Sequence, residues 1–415
     1  MYSTETARIK VTNDLFNSTA AGMPSILLVL DLSAAFDCVS HIRLVRRLAD
    51  DFGVDCSALN WISSYLADRT HFVKVSDQAS VTVCSETGVP QGSVLGPLLF
   101  SAYVSPIDRL ISSFEVKHVS YADDITLYLS IDADATSTLS RLNDCATSVA
   151  RWFMFNDLKL NPSKSEALIV GTRHQMKSEK FNSNSIEISG VTVPLSDHVK
   201  LLGVTFDNIL SFDRHTSDIC SNASFHLRAL RHIRSKLDKS TANSIACSFV
   251  ASRLDYCNAI LANMSAHNIN RLQRVQNSAA RIVHNSYGRS SASALLRELH
   301  WLPVAQRIDY KVALTTFKVL TANQPAYLRS LLQVFTPVRS LRSSSKGILL
   351  NVPLCKTASA TRAFSNYAPR LWNSLPQSLR DSAQLERGAD AFSVNHFKSL
   401  LKTTLFSSAF GGVIM

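Results

Sequence analysis

Two aspartates stand side by side in the run Tyr121-Ala122-Asp123-Asp124, and a third, Asp31, closes the apolar run SILLVL, Ser25 to Leu30. Adjacent carboxylates repel unless a cation, a proton or open solvent compensates them. A solvated turn would tolerate the pair, since Asp is common in turns. The flanking runs FEVKHVS and ITLYLSI read as paired strands, which sets both aspartates at a hairpin tip. A parallel or mixed sheet can bring strand ends to one edge, where Asp31 would join them. Three hard oxygen donors suit Mg2+, which binds through few carboxylates, keeps waters and takes up substrate phosphates. Two such ions about 3.5 to 4 Å apart stabilise the attacking and leaving oxygens of an in-line phosphoryl displacement.

The surrounding elements must position these groups. SILLVL is a short continuous apolar run, typical of a strand covered on both faces. Ser40 caps a predicted helix carrying Val45, Leu48 and Phe52 and stopped by Gly53; Ser57 caps a second through Leu66. HFVKV and VTVCS read as a strand pair, and TGVPQGSVLGP as a Gly-rich loop reaching a helix N-terminus at Gly96 and Pro97. Beyond YADD, Ile125, Leu127, Leu129 and Ile131 alternate with Thr126, Tyr128 and Ser130, the period of a half-buried strand. A helix bearing Leu139, Leu142, Ala146, Val149 and Phe153 follows, then strand-like LNPSKSEALIVG and VKLLGVTFD, ending near Asp207.

From about Asp213 helical periodicity takes over, and the charge changes with it. The 415 residues carry a net charge of +11, which points to polyanionic partners, either nucleic acid or an acidic membrane face. Between Arg214 and Arg289 stand eleven Lys or Arg against three Asp or Glu. Arg228 and Arg231, and likewise Arg271, Arg274 and Arg281, recur at helical spacing, so each group can form one face; an ordinary solvated helix has the same pattern. Tyr310, Ala313, Phe317 and Leu320 mark a later helix face, FSNYAPRLWNSLP (Phe364 to Pro376) reads as packing and turn chemistry, and RSLRSSSKG (339–347) is Ser-rich. The eight cysteines show no zinc spacing, so reduced, mostly buried thiols are expected. No run approaches the roughly 18 to 20 apolar residues of a membrane span, and a signal-peptide order is missing, so the expectation is a soluble intracellular protein with no membrane role.

Taken together, LVLDLSAAFD, GVPQGSVLGPLLF, YADD, LNPSKSE and LLGVTFDN resemble, in order and spacing, the reverse transcriptases of non-LTR (LINE-type, jockey-like) retrotransposons, over nearly the whole chain. The resemblance implies an α+β fold: a right-hand polymerase palm, an antiparallel sheet backed by helices, with incomplete fingers over 1–208. A thumb-like basic helical region, 209–300, and a C-terminal helical region of retroelement type, 301–415, would follow. It implies an RNA-directed DNA polymerase in which Asp31, Asp123 and Asp124 hold two Mg2+ ions, with Mn2+ as substitute, and a primer 3′ hydroxyl attacks the α-phosphate of a deoxynucleoside triphosphate. Phe36 would exclude a 2′-hydroxyl, Gln91 and Gly92 would position nucleotide and template, Tyr121 would face the substrate, and Lys164 would assist pyrophosphate departure. Arg228, Arg231, Arg271, Arg274 and Arg281 would grip the duplex of RNA template and DNA primer, and LLGVTFDN would form the primer grip.

Cys38 and Ser40 stand where the family more usually has Thr and Asp. The family also has upstream fingers and an endonuclease, so the resemblance implies an N-terminally truncated enzyme, another chain supplying what is missing, and a nuclear site of action with a cytoplasmic ribonucleoprotein stage. Two rivals use the same residues. One is a catalytically inactive nucleic-acid-binding remnant relying on the basic helices. The other is a metal-dependent nuclease, against which the PQG loop and Phe36 argue.

Overall fold

The computed structural model describes residues 3–132, 134–177, 185–188, 190–286, 290–336, 348–381 and 394–411. They divide into two compact units, a sheet unit of Pro24–Val199 and a helical unit of Met1–Met23 with Lys200–Met415.

The sheet unit is built on four strands, in chain order β1 (Ser25–Leu30), β2 (Lys117–Tyr121), β3 (Asp124–Ser130) and β4 (Glu166–Val170). Their spatial order is β4-β1-β3-β2, and every neighbouring pair is antiparallel. The antiparallel sheet implied by the resemblance is the one observed, and the parallel or mixed arrangement that could gather the strand ends is not used. β1 is buried along its whole length, as its unbroken apolar sequence requires. Burying each such side chain contributes about 1.5–3 kcal/mol, so this strand anchors the unit. β3 departs from the half-buried expectation: Thr126 and Tyr128 are buried along with Ile125, Leu127 and Leu129, because the strand lies between β1 and β2 with both faces covered.

Helices back this sheet. Helix Ala135–Phe155 starts at Asp134, whose carboxylate accepts from the Thr136 and Ser137 N–H groups. It packs Leu142, Ala146, Val149 and Phe153 into one core with Ile26, Leu28 and Leu30 of β1 and Leu99, Phe100 and Tyr103 of helix Gly96–Val104. Helix His41–Phe52 has its expected Ser40 cap and ends at Gly53, which takes the left-handed conformation at φ 65. In the next helix, Cys56–Leu66, Asp55 and not Ser57 stands at the N-cap position, without a side-chain capping bond, and Leu95, not Gly96, is at the N-cap position of helix Gly96–Val104. HFVKV meets VTVCS in one short ladder, Thr70↔Cys84 with His71↔Val83, while its Lys74 and Val75 pair instead with Ala79 and Gln78, outside VTVCS. A hairpin of Ser185–Ile188 and Val191–Pro194 has no counterpart in the sequence reading.

In the helical unit, helix Thr4–Ala20 opens with a Ser3–Thr6 capping box. Its Arg8 is fully buried and donates to the Leu201 carbonyl at 3.2 Å, the Tyr256 hydroxyl at 3.0 Å and the Cys257 thiol. A guanidinium without solvent must find acceptors, and those acceptors lie beyond residue 200. The first helix thus folds with the later residues, and the compact units do not follow the sequence boundaries at 208 and 300. Helices Asp213–Ile233, Ala266–Val283, Val304–Ala322 and Val394–Phe410 carry most of the rest. Segment Phe364–Ser374, read from sequence as packing and turn chemistry, does pack, with Phe364, Ala368 and Trp372 buried, but it is a helix despite Pro369, and the Trp372 indole N–H donates to the Ile348 carbonyl at 2.9 Å. The Ser-rich 339–347 patch lies outside the described residues. All eight thiols are unpaired, but only Cys145 and Cys257 are buried; Cys56 and Cys84 are exposed. Among the described residues no helix is long and apolar enough to cross a membrane.

Candidate active site and basic groove

Asp31 directly follows β1, and Asp124 is the first residue of β3. The β1–β3 register runs to Leu30↔Ile125, so its next step sets Asp31 beside Asp124. Residues opposed in this way share a face at a strand spacing of about 4.8 Å. Tyr121 and Asp124 close the β2–β3 hairpin, leaving Ala122 and Asp123 as its two-residue turn, with Ala122 left-handed at φ 53. All three aspartates are half-buried. The antiparallel arrangement explains the gathering, since the end of β1 coincides with the start of β3.

Among the described residues no group of three or more His, Cys, Asp or Glu is arranged to hold a metal ion. Continued one step beyond Leu30↔Ile125, the register opposes Asp31 to Asp124, with Asp123 in the adjoining turn. Mg2+ needs only one or two protein carboxylates, the remainder coming from water and phosphate, so the donor chemistry fits that hard ion.

LNPSKSE is joined to this end of the sheet. Leu32 pairs with Leu160, and the Asn161 N–H donates to the Asp31 carbonyl at 2.8 Å. The chain then makes a 3-10 turn over Pro162–Lys164, leaving Lys164 exposed three residues beyond that bond. Asn161 was missed by sequence reasoning; its place within LNPSKSE was the available signal.

The PQG loop and the Phe36 segment form one substructure. The Gly88 N–H donates to the Val39 carbonyl and the Val89 N–H to the Phe36 carbonyl, each at 2.8 Å. Gly88 sits at φ +89, and a Cβ there would lie 2.9 Å from the Asp37 carbonyl oxygen, so only glycine fits. Pro90 to Ser93 form a turn in which the Ser93 N–H and hydroxyl both donate to the Pro90 carbonyl. Gly92 supplies the positive φ of 78 at the third position, and Gln91 and Gly92 are exposed. Phe36 stacks on Phe100 with centroids 4.7 Å apart and planes 19° apart. Behind it, Arg47 donates to the Tyr103 carbonyl and, at 2.9 Å, to Asn156, while the Tyr103 hydroxyl donates to the Asn156 carbonyl at 2.7 Å. Burial pushes the Tyr103 phenol up and the Arg47 guanidinium down from their ordinary values. Gln91 also borders a cavity of about 540 Å³ with Asp37, Arg69, His71 and Glu86. Arg69 and His71, in the run DRTHF, were not singled out from sequence.

In the helical unit, Arg228 and Arg231 of helix Asp213–Ile233 and Arg274 of helix Ala266–Val283 line a groove of about 260 Å³ with Ser224, Leu227 and Ser278. Arg271 is used otherwise. It donates to the Ser217 hydroxyl at 2.6 Å, the Asn268 side chain at 3.3 Å and the Asp213 carbonyl at 3.4 Å, joining the two helices. Arg281 is half-buried in the last turn of its helix. Arg234, which carried no sequence signal of its own, is buried and donates to the carbonyls of Ile282, Val283 and Leu237. His215, in the first turn of helix Asp213–Ile233, is buried with its Nε2 lacking a hydrogen-bond partner, and desolvation lowers its pKa to about 4.

Residues 4–206 match the family described as reverse transcriptase (RNA-dependent DNA polymerase). Over 288 residues the chain is 28% identical to the probable RNA-directed DNA polymerase from transposon BS of Drosophila melanogaster, covering 68% of this chain and 31% of that protein. It is 29% identical over 265 residues to the corresponding protein from transposon X-element of the same species, covering 62% and 28%. The RNA-directed DNA polymerase from mobile element jockey of that species is 28% identical over 195 residues, covering 46% and 20%. The chain thus spans 31% or less of the length of these relatives.

Proposed function

We propose that the chain, whose residues 4–206 match the reverse transcriptase family and which is similar to the jockey-like non-LTR polymerases, extends a DNA primer on an RNA template using deoxynucleoside triphosphates. The observation that supports this reading is the β1–β3 register, which runs to Leu30↔Ile125 and, continued one step, would oppose Asp31 to Asp124 near Asp123 in the hairpin turn. These carboxylates would hold two Mg2+ ions, or Mn2+ in their place. The ions, when bound, supply charge neutralisation for the reacting phosphates and the attacking oxygen.

The chain's own side chains do the remaining work in this proposal. Gln91 and Gly92 offer an open turn to nucleotide and template, and Tyr121 lines the substrate side of the hairpin. Phe36, backed by Phe100, blocks a 2′-hydroxyl. Lys164 supplies positive charge or a proton to the departing pyrophosphate. In the thumb-like helices of 209–300, Arg228, Arg231 and Arg274 neutralise duplex phosphates, with Arg281 further along the same face and Arg271 fixing the helix that presents them. The palm with partial fingers is taken as 1–208 and the retroelement-type C-terminal region as 301–415. Missing fingers or an endonuclease would come from another chain, and the protein would act in the nucleus after a cytoplasmic ribonucleoprotein stage.

The test is extension of a DNA primer on an RNA template with Mg2+ or Mn2+, beside Asp123→Ala and Asp124→Ala controls. Product from the unsubstituted chain alone supports the polymerase. A second reading, a nucleic-acid-binding remnant, is favoured by the arginine groove, which needs no carboxylate. It predicts duplex binding that survives Asp123→Ala, with no extension by either protein.

A further inference from the structure

The helical unit contains a cavity of about 570 Å³ that neither the polymerase reading nor the arginine groove uses. Its volume falls within the roughly 300–1,000 Å³ typical of small-molecule sites. One wall is the π-helical turn Cys247–Ala251, inserted between helices Lys239–Ala246 and Ser252–Asp255. Such turns are rare and concentrate at functional sites. Cys247, Ala251, Ser252 and Asp255 all face the cavity.

The opposite wall combines flat rings with positive charge. Trp301 lines the cavity and is otherwise buried, at 5% exposure, while His300 is exposed and leans on Phe406 with centroids 5.6 Å apart. The wall is fixed: the Leu302 carbonyl accepts from Gln276 at 2.8 Å and from Arg307 at 2.9 Å, and Arg307 pairs with Asp255 at 2.6 Å. Lys311 and Lys402 complete the lining, Lys311 reaching Glu5 at 3.3 Å. Of the charged lining groups, Arg307 is balanced by Asp255 and Lys311 by Glu5, so Lys402 carries the remaining positive charge of the lining. A phosphate monoester, at about −1.5 to −2 at neutral pH, would pair with Lys402 and compete with Glu5 for Lys311. A bare phosphate would leave most of the volume and both rings without contact.

We propose that this cavity binds a nucleoside monophosphate unit, either free or as the terminal unpaired nucleotide of a strand, with the base against Trp301 and His300 and the phosphate at Lys311 and Lys402. The proposal does not depend on polymerase activity, and its residues lie in no catalytic role described above.

Equilibrium dialysis of the full chain against adenosine and uridine monophosphates, the matching nucleosides and a short 5′-phosphorylated oligoribonucleotide tests it. Saturable binding of the monophosphates is expected, at least tenfold tighter than the nucleosides. Lys402→Glu, an exposed position, is expected to weaken it tenfold or more, and Ser252→Trp, which fills the mouth of the cavity, to abolish it. Thermal melting checks that both variants fold. Tighter binding of the oligonucleotide, with the same sensitivity to both variants, identifies the strand terminus as source; equal or weaker binding identifies the free nucleotide. Absence of saturable monophosphate binding by the folded chain overturns the proposal, as does binding unchanged in both variants. Primer extension run on Lys402→Glu is expected to be unaltered, so failure here and failure of the polymerase reading are separable.

Discussion

In the sheet unit the groups assigned to chemistry owe their positions to the backbone ladder, whereas in the helical unit the arginines divide between a groove and hydrogen bonds inside the fold. Asp31 and Asp124 come together because two antiparallel strands are in a given register, and Asp123 follows because the turn between Tyr121 and Asp124 is two residues long. No side-chain contact is needed. The arginines differ: Arg228, Arg231 and Arg274 line a groove, while Arg8, Arg234 and Arg271 spend their donors on carbonyls and hydroxyls within the fold. A basic segment is therefore not the same thing as a basic surface.

The largest effect is expected at the sheet. Asp124→Ala is expected to lower primer extension about a thousandfold or more, roughly 4 kcal/mol of barrier, with duplex affinity within twofold of the unsubstituted chain. A parallel loss of duplex binding would contradict the separation of the two roles.

In the helical unit the largest expected effect is on pH dependence. The folded pKa of His215, about 4, lies below its ordinary 6.5, so between these values the unfolded chain holds a proton that the folded one does not. This contribution is present in full above pH 6.5 and is lost as pH falls towards 4, by about 3 kcal/mol at roughly 1.4 kcal/mol per pH unit. Denaturant titrations at several pH values should show that slope, and His215→Phe should flatten it.

Gly88→Ala tests whether the PQG loop is as dependent on backbone as the aspartates. The left-handed φ of +89 and the approach of Asp37 predict a cost of about 2 kcal/mol, read as a lower melting temperature of the sheet unit. The smallest effects sharpen the arginine contrast. Arg228→Gln, Arg231→Gln and Arg274→Gln should each reduce the log–log salt slope of duplex binding by about 1 with unchanged melting, whereas Arg271→Gln should cost about 1–2 kcal/mol of stability through lost hydrogen bonds.

What the sequence by itself determined is the set of local elements whose signal is local. SILLVL became β1, Ser40 and Gly53 bounded their helix, and YADD became the tip of a hairpin, because apolar runs, caps and turns act over a few residues. The candidate aspartates were legible for the same reason, each lying at the end of such a run. The fold, and not the sequence, shows that β3 is covered on both faces and that Arg8 draws the first helix to residues beyond 200. It also decided which arginines face a groove and which serve as internal donors. Helical spacing marks a face, but whether that face meets water or a neighbouring helix depends on partners distant in sequence, as Arg271 and Ser217 show across fifty-four positions.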